Sequence, residues 1–199
     1  MIIRPLTVYE REAVRDFYLA LVPDDRRKRF CCSLSDETIS SYVDRIDFSR
    51  DTILAAFDER AQIIGLAELV RGAGAGEMAF SVLPDRRGQG IGTVLLEKLL
   101  MRAKICGIRK VFVIFLSDNT PMRRMATRAG MTVSTVDGES HAEREMSAAS
   151  AEDLTRWIIE DGLSRSGYFG TLGIAHWGSL LNPCANASPE PPKTPVPVA

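Results

Sequence analysis

One stretch of this sequence decides the fold: Val82-Leu83-Pro84-Asp85-Arg86-Arg87-Gly88-Gln89-Gly90-Ile91-Gly92. It leaves a run with strand character, turns through a basic, glycine-rich loop and opens a long apolar helix. Glycines at alternate positions let the backbone approach a ligand closely and adopt positive φ without steric cost. The following helix directs its unpaired N–H groups and positive dipole end into the loop. The stretch therefore predicts a binding site for a phosphate or pyrophosphate.

The spacing of the loop narrows the kind of phosphate site. A dinucleotide-binding fingerprint needs G-x-G-x-x-G, but the third glycine, Gly92, comes one residue early and Thr93 stands in its place. A nucleoside-triphosphate loop ends in G-K-S or G-K-T, and this sequence contains neither triplet. The pattern that fits is R-x-x-G-x-G, from Arg87 to Gly92. A glycine-rich turn without a ligand is the alternative.

Composition limits the class of protein. A chain of 199 residues that is 45% hydrophobic can bury one good core, which favours a single main domain. The formal net charge of −1 excludes binding of nucleic acid by overall charge. Two local basic clusters remain. We expect Arg26–Arg29 to be a solvated helix face, whereas Arg123-Arg124 with Arg128 favours phosphate contact.

Cysteine and histidine usage argues against metal and disulfide sites. The four cysteines form no C-x-x-C pair, and the two histidines, His141 and His176, lie far apart. Neither a signal sequence nor an apolar run near the ~20 residues of a membrane helix is evident. We therefore expect a cytoplasmic protein with no metal and with no membrane or nucleic-acid partner.

Hydrophobic periodicity predicts the element order βααβββαβαββ over residues 1–147. Strands are expected at residues 1–6, 52–57, 62–70, 77–83, 110–116, 131–136 and 144–147, and helices after Thr7, from Ser35, and at residues 91–106 and 119–129. Pro23 with Asp24-Asp25 is interpreted as the end of the first helix. The continuously apolar run 110–116 is expected to be a strand buried on both faces.

The chain changes character after residue 147. We expect a domain over residues 1–147, an extension of undetermined structure over 148–181 and a disordered tail over 182–199, which holds six of the ten prolines. Ser150-x-x-Asp153 predicts the cap of a short helix in the extension.

The loop from Arg87 to Gly92 resembles the acetyl-CoA pyrophosphate loop of GNAT-type N-acetyltransferases. These proteins carry a later pattern, N-x-x-A-x-x-L-Y-x-x-x-G-F, whose six positions correspond here to Asn119, Met122, Met125, Ala126, Gly130 and Met131. The asparagine and the glycine match, whereas the tyrosine position is Ala126 and the phenylalanine position is Met131. Leu116–Met122, Ile3–Leu6 and Arg29-Phe30 resemble the GNAT domain of bacterial Pat-type protein lysine acetyltransferases.

This resemblance spans residues 1–147 and implies the GNAT fold, an α/β (α+β) protein with a mixed central sheet of six to seven strands and helices on both faces. It implies transfer of the acetyl group of acetyl-CoA to a primary amine, first of all a protein lysine side chain. A small-molecule amine acceptor and a non-catalytic acyl-CoA-sensing module are the alternatives. Whether the protein forms a homodimer stays open.

The resemblance also implies how acetyl-CoA is bound. Backbone N–H groups of Ser81, Val82 or Leu83 would meet the thioester oxygen, and the same backbone would pair with the pantetheine amide. The predicted contacts from the loop and beyond are Arg87, Gly88, Gln89, Gly90, Ile91, Gly92, Thr93, Asn119, Met122 and Arg123. Asn119 would hold the pantetheine arm, with a plain helix cap as the alternative. Arg123 and Arg124 would reach the adenosine phosphates.

Acetyl transfer to lysine needs a base, because an ammonium with a pKa of about 10.4 is almost fully protonated at pH 7. Glu77, at the start of the strand that enters the loop, is the candidate, and Pat-like domains carry a Glu in a similar strand. We expect a half-buried apolar site that raises the pKa of Glu77 toward neutrality. Glu68 on the preceding strand is the rival base, and a solvated Glu77 without catalytic function is the other alternative.

The general acid stays unassigned. Many family members use the tyrosine of the second pattern to protonate the departing CoA thiolate, and Ala126 cannot. A thiolate is a fairly good leaving group, since a model thiol has a pKa near 8.5. Ser117, solvent or no acid at all are the remaining possibilities.

Overall fold

A computed structural model describes residues 1–166, with side chains described through residue 159. Its strands are β1 (Ile2–Pro5), β2 (Thr52–Phe57), β3 (Ile63–Arg71), β4 (Ala75–Val82), β5 (Lys110–Leu116), β6 (Thr132–Val136) and β7 (Glu139–Glu145). They form one sheet in the order β1-β2-β3-β4-β5-β7-β6. All neighbours are antiparallel except β4 and β5, which makes the sheet mixed, as predicted.

Within residues 1–166, six helices accompany the sheet: α1 (Arg11–Leu19), α2 (Pro23–Phe30), α3 (Asp36–Asp44), α4 (Ile91–Ile105), α5 (Thr120–Arg128) and α6 (Ala151–Ser166). Short 3-10 turns lie at Val8–Glu10 and Pro84–Arg86. Helices α1 and α3 pack on the sheet face that carries Ile53 and Leu66. Helices α4 and α5 pack on the opposite face, against Leu69 and Met78. Helices therefore cover both faces, as the sequence predicts.

The two strands at the centre of the sheet are paired over only part of their length. β4 and β5 run parallel and pair from Ala75 with Lys110 to Glu77 with Phe112. Beyond Glu77, β4 continues to Val82 with β3 as its only strand neighbour, while β5 continues with β7. A gap therefore opens between the two strands and widens toward the glycine-rich loop. This gap positions the site described below.

Helix α2 is a correction to the predicted order. Pro23 with Asp24-Asp25 does not stop a helix but starts one, Pro23–Phe30. Proline is well tolerated in the first helical turn, where its missing N–H would have no intrahelical partner. Asp24 and Asp25 also favour this end, because acidic groups stabilise the positive dipole at a helix N-terminus.

Three strand predictions also need correction. β4 begins at Ala75, so Gly76 lies in the strand and not in the preceding loop. β7 begins at Glu139, not at Arg144, because Asp137 and Gly138 adopt positive φ and close a two-residue hairpin turn. β5 is not buried on both faces: alternate residues are buried and the others are only half-buried. A continuous apolar run does not distinguish these two arrangements.

A buried polar cluster joins three helices to the sheet. Glu68 on β3 is 1% exposed and accepts hydrogen bonds from the hydroxyls of Tyr18 and Tyr42. Arg29 from α2 forms an ion pair with the Glu68 carboxylate at 3.1 Å and stacks on both tyrosine rings. Because every carboxylate oxygen has a partner, the cluster satisfies its buried charges and holds α1, α2 and α3 against the sheet.

The C-terminal helix begins where the Ser150-x-x-Asp153 pattern predicts, with Ser150 Oγ accepting the Asp153 N–H at 3.1 Å. Lys104 on α4 pairs with Asp153 at 2.6 Å, and Arg102 lies over the Trp157 ring, so α6 is tied to α4. The proline-rich tail, the aromatic stretch after residue 166, His176 and Cys184 lie outside the described residues.

Over residues 1–166, no helix has the length and apolar character needed to cross a membrane. The same part of the chain contains no group of three His, Cys, Asp or Glu side chains that could hold a metal ion.

Removal of the Glu68 charge should destabilise the protein. In Glu68→Gln, the buried Arg29 loses its counter-charge, which typically costs about 3 kcal/mol. We expect the free energy of unfolding in urea to fall by about that amount. Glu59→Gln, an exposed carboxylate in the β2–β3 turn, is the matched control and should leave unfolding unchanged. Equal urea midpoints for the two variants would contradict the role given to the cluster.

The same cluster makes stability depend on alkaline pH. Burial raises the pKa of the Tyr18 and Tyr42 hydroxyls above the usual value of about 10. The unfolded chain therefore loses these protons first, and stability should fall as the pH rises above about 10. Tyrosinate absorbance should show two tyrosines that ionise only on unfolding, and Tyr42→Phe should leave one. Ionisation of every tyrosine in the folded protein in a single step near pH 10 would contradict this.

Candidate active site

The β4 edge of the gap presents backbone hydrogen-bonding groups. The Leu83 N–H donates to the Ile64 carbonyl at 3.0 Å, so it belongs to the pairing with β3. Because backbone N–H groups alternate in direction along a strand, the N–H of Ser81 also points toward β3. The N–H groups of Phe80 and Val82 point into the gap. Of the three predicted backbone donors, the one that faces the gap is therefore Val82.

The glycine-rich loop closes the wide end of the gap. Gly88 and Gly90 have φ of 75° and 79°, a left-handed conformation that glycine adopts without strain. Gly90 precedes the first turn of α4, and no side chain caps this turn. The N–H groups of Ile91, Gly92 and Thr93 lie in this turn, where an α-helix makes no intrahelical bonds. The predicted anion site is thus built from backbone donors at a 15-residue helix.

Gly92 has a packing function as well. A Cβ at this position would lie 3.2 Å from Met125 Sδ, so the glycine lets α5 approach the start of α4. Met122, predicted as a cofactor contact, is buried and packs in the core between the sheet and α4. Helix α5 therefore lies beside the glycine-rich loop, and Met122 and Met125 mainly pack against their neighbours.

Asn119 caps helix α5. Its side-chain oxygen accepts the Met122 N–H at 3.2 Å, which is the helix-cap alternative weighed for this residue. A cap uses only the carbonyl oxygen, which leaves the amide NH₂ as a donor. The cap fixes the side chain at the end of β5, where the amide could still contact a ligand.

Arg87 is held by a residue that the sequence did not indicate. Its guanidinium pairs with Asp25 Oδ1 at 2.5 Å, and its Nε donates to the Val82 carbonyl at 3.1 Å. Asp25 lies on α2 and is 6% exposed, and its second oxygen is buried without a hydrogen bond to any described residue. Ser81 Oγ is likewise buried without such a partner. The pair connects α2 to the loop. The sequence feature that could have indicated the Asp25–Arg87 pair is a helix that begins at Pro23.

The arginines of α5 are placed differently from one another. Arg123 donates to Thr135 Oγ at 2.9 Å and to Ser140 Oγ at 2.8 Å, so it is bound to the β6–β7 hairpin. Arg124 and Arg128 are exposed on the same helix. Of the predicted basic cluster, Arg123 is thus bound to the hairpin, whereas Arg124 and Arg128 are exposed.

Glu77 lies at the closed end of the gap. It is the last β4 residue that pairs with β5, and its cross-strand neighbour there is Phe112. Strand alternation places it on the sheet face of Glu68, which is the face of α1, α2 and α3. The expectation of a half-buried apolar site was wrong, because Glu77 is exposed. Its side chain is open to solvent where the pairing of β4 with β5 ends.

Cys31, at the C-terminal end of α2, borders the same end of the gap. Its Sγ lies 3.9 Å from the Ile114 carbonyl on β5. Burial raises the pKa of this thiol, and the negative charge of Glu139 raises it further. The thiol therefore stays protonated at neutral pH. Sequence reasoning could not indicate that Cys31 lies here, because the position of α2 was not predicted.

Two other predicted positions are internal. Ala126, in the tyrosine position of the family pattern, is fully buried and packs in the core with Met131. Glu68, the rival base, uses its oxygens in the buried cluster with Arg29. Neither side chain is open to the gap.

A family comparison decides the class of the protein. The model of the acetyltransferase (GNAT) family matches residues 14–131, more than half of the chain. The chain belongs to the GNAT family. This confirms the predicted family, the fold class and the enzyme class, an acetyl-CoA-dependent N-acetyltransferase.

Solved structures of GNAT proteins share the fold. The GNAT domain of PAT from S. lividans is 25% identical, with a TM-score of 0.62 over 72% of this chain and 89% of that domain. A phosphinothricin acetyltransferase (Pat) from Sinorhizobium meliloti, in complex with AcCoA, is 19% identical with a TM-score of 0.57, over 75% of this chain and 90% of that one. The ribosomal-protein-S18-alanine N-acetyltransferase from Escherichia coli is 17% identical with a TM-score of 0.57, over 75% and 96%.

The loop geometry predicts a selective effect of Gly90 on CoA binding. Gly90→Ala introduces a methyl group at φ 79° and should cost about 1 kcal/mol of stability. That methyl group would project into the open space of the loop, so CoA affinity, measured by calorimetry, should fall about tenfold.

Gly107→Ala is the matched control for this variant. Gly107 follows the other end of α4 at φ 68° and also has open space around the position of a Cβ. It should lose similar stability but keep the CoA affinity of the unmodified protein. Equal CoA affinities for the two variants would contradict a ligand site in the loop.

Proposed function

We propose that this GNAT protein transfers the acetyl group of acetyl-CoA directly to a primary amine, with Glu77 as general base and a protein lysine as the acceptor. The observation that carries the proposal is the end of the β4–β5 pairing at Glu77. The gap starts at the residue whose carboxylate would accept the proton, and it opens toward the loop that would hold the pyrophosphate.

The dimensions of the β4 edge support this assignment. Val82 lies five residue steps along the strand from Glu77, which at ~3.3 Å per step is roughly 17 Å of extended strand. An extended pantetheine arm is of comparable length. With its pyrophosphate at Gly88–Thr93 and its amides paired along β4, the arm would bring the thioester to the closed end of the gap. Val82 would pair with the arm as an added strand would.

The chemistry at that end can be written with the residues present. The free amine attacks the thioester carbonyl carbon, a C–N bond forms and the carbonyl oxygen takes the negative charge. The C–S bond then breaks and CoA leaves as the thiolate. Before the attack, the acceptor ammonium gives one proton to the Glu77 carboxylate, directly or through water, and so becomes the free amine. The second proton, lost as the amide forms, passes to solvent. A backbone N–H on the β4 edge stabilises the oxyanion.

Glu77 is favoured over Glu68 by accessibility. Glu77 is exposed at the gap, whereas Glu68 is enclosed and its oxygens already accept two hydroxyl hydrogen bonds and an ion pair. A base must come within hydrogen-bond reach of the amine or of an intervening water. Glu68 could do so only if the cluster that anchors α2 were taken apart.

We propose that no side chain of α5 serves as general acid. Ala126 is buried and carries no ionisable group. CoA would leave as a thiolate and take its proton from solvent or from Ser117. Since a thiolate is a fairly good leaving group at neutral pH, this step does not require an enzyme acid.

The acceptor class rests on the similarity to the S. lividans PAT domain and on an exposed Glu77. An exposed base can serve an amine presented on the surface of another protein. A small-molecule amine is the second candidate, favoured by the shared fold of the S. meliloti phosphinothricin acetyltransferase. Both acceptor classes should therefore be assayed, with a pool of proteins and a pool of small amines in separate reactions.

The base assignment predicts the kinetics of Glu77→Gln. Loss of a general base should lower kcat/KM about 10²–10⁴-fold at pH 7, while the Kd for CoA stays unchanged. The defect should shrink as the pH approaches the lysine pKa of about 10.4, because more of the amine is then already neutral. CoA-thiol release is measured from pH 7 to pH 10 for both proteins.

Glu59→Gln, which removes an exposed carboxylate in the β2–β3 turn, is the control and should match the unmodified protein. A Glu77→Gln rate within twofold of that control at pH 7 would overturn the base assignment. Release of CoA with small amines alone would overturn the protein acceptor and leave the mechanism in place.

A further inference from the structure

The face of the sheet that continues from Glu77 across β5 and β7 has a distinct composition. Strand alternation puts Phe112, Ile114 and Leu116 of β5 on this side, together with Glu139, His141, Glu143 and Glu145 of β7. The four β7 side chains are exposed, while Ser140 and Ala142 between them are buried on the other side. We call this side of β5 and β7 the outer carboxylate face.

Within the described residues, no helix packs over the β7 part of this face. Helix α2 packs against β5, where Cys31 Sγ lies near the Ile114 carbonyl, and Arg27 pairs with Asp118 at 2.8 Å. The apolar β5 side chains are half-buried for this reason. The β7 part of the face is therefore the open part of this sheet surface.

The outer carboxylate face is aligned with the proposed base. Glu77 is the cross-strand neighbour of Phe112, and Phe112 is the cross-strand neighbour of Glu143. Strands lie about 4.8 Å apart, so Glu77 and Glu143 are separated by two strand spacings, roughly 10 Å. An acceptor lysine at Glu77 would therefore place its flanking residues over this face.

The charge of the face is negative. Lys110 pairs with Glu143 at 2.6 Å and neutralises part of it. Glu77 and Glu139 form no ion pair with any side chain that the structure describes, and both contribute negative charge at Cys31 between them. The carboxylates thus outnumber the cations on this face, although the whole chain is nearly neutral.

We propose that the outer carboxylate face binds an extended polypeptide segment that carries basic residues on either side of the acceptor lysine. This rests on the proposed function and specifies its substrate. Alternate residues of an extended segment repeat about every 6.8 Å, which is also the spacing of alternate side chains on β7. The half-buried Phe112 and Ile114 can contact the aliphatic stems of lysine or arginine side chains while the charged ends reach the glutamates.

The test uses three fluorescent peptides with one lysine each, flanked by arginines, serines or glutamates at alternate positions. Binding to the full chain in the presence of CoA is measured by anisotropy, so that it does not depend on turnover. We expect the arginine peptide to bind at least about tenfold more tightly than the serine peptide near 0.05 M ionic strength, and the difference to shrink near 1 M because salt screens exposed charges. Equal affinities of the arginine and glutamate peptides would overturn the proposal.

Paired charge-removal variants locate the effect. Glu139→Gln with Glu145→Gln should weaken binding of the arginine peptide about threefold to tenfold. Glu59→Gln with Glu97→Gln removes two exposed carboxylates elsewhere and is the matched control. An equal loss in both double variants would show an effect of net charge alone and would overturn the docking site.

The remaining outcomes separate the two proposals. If none of the three peptides releases CoA but selective binding is retained, the proposed function is rejected and the outer carboxylate face is kept as a peptide-binding surface. If CoA is released without any dependence on flanking charge, the proposed function is kept and the peptide-binding surface is rejected. A change in oligomeric state on substitution of Glu139 and Glu145, with peptide affinity unaltered, would assign the face to a second copy of this chain and overturn the proposal.

Discussion

The pairing of β4 with β5 ends at Glu77 and Phe112, and the candidate site depends on this one interruption. A fully paired sheet would use every backbone N–H and C=O group of β4 internally. Because the strands separate, the β4 groups that point away from β3 become available to a ligand over the length of the gap. The same separation leads β4 into the glycine-rich loop and leaves Glu77 at the closed end. The glycine-rich loop, the unpaired backbone of β4 and the Glu77 carboxylate therefore follow one another along the gap.

Two ion pairs of α2 support this arrangement. The Arg29–Glu68 pair fixes the helix against β3, and the Asp25–Arg87 pair connects it to the loop. Both pairs take one partner from α2 and the other from the sheet or the loop that follows it. Breaking the buried Arg29–Glu68 pair is costly, and the buried Asp25 adds a tie to the half-exposed Arg87, so α2 is held where it borders the gap. The helix thereby limits one side of the entrance while the β7 side stays open.

Much of the fold could be predicted from local patterns. The loop, the long helix α4, the strands β2 and β3, and the cap at Ser150 all carry their signals within a few residues. Predictions failed where neighbours distant in sequence decide the outcome. Pro23 suits either the end or the start of a helix, and β7 lacks an apolar signal because only Ser140 and Ala142 face the core. The burial of β5 on one side depends on where the helices stop.

By itself, the sequence determined the family, the element order around the loop, and the residue types available for phosphate binding and proton transfer. These follow from backbone conformations and spacings that are local. Only the tertiary structure decided which groups meet: that Val82, not Leu83, faces the gap, that Glu68 is enclosed and Glu77 exposed, and that Asp25 holds Arg87. These outcomes depend on strand register and on helix packing, which bring together side chains that are far apart along the chain.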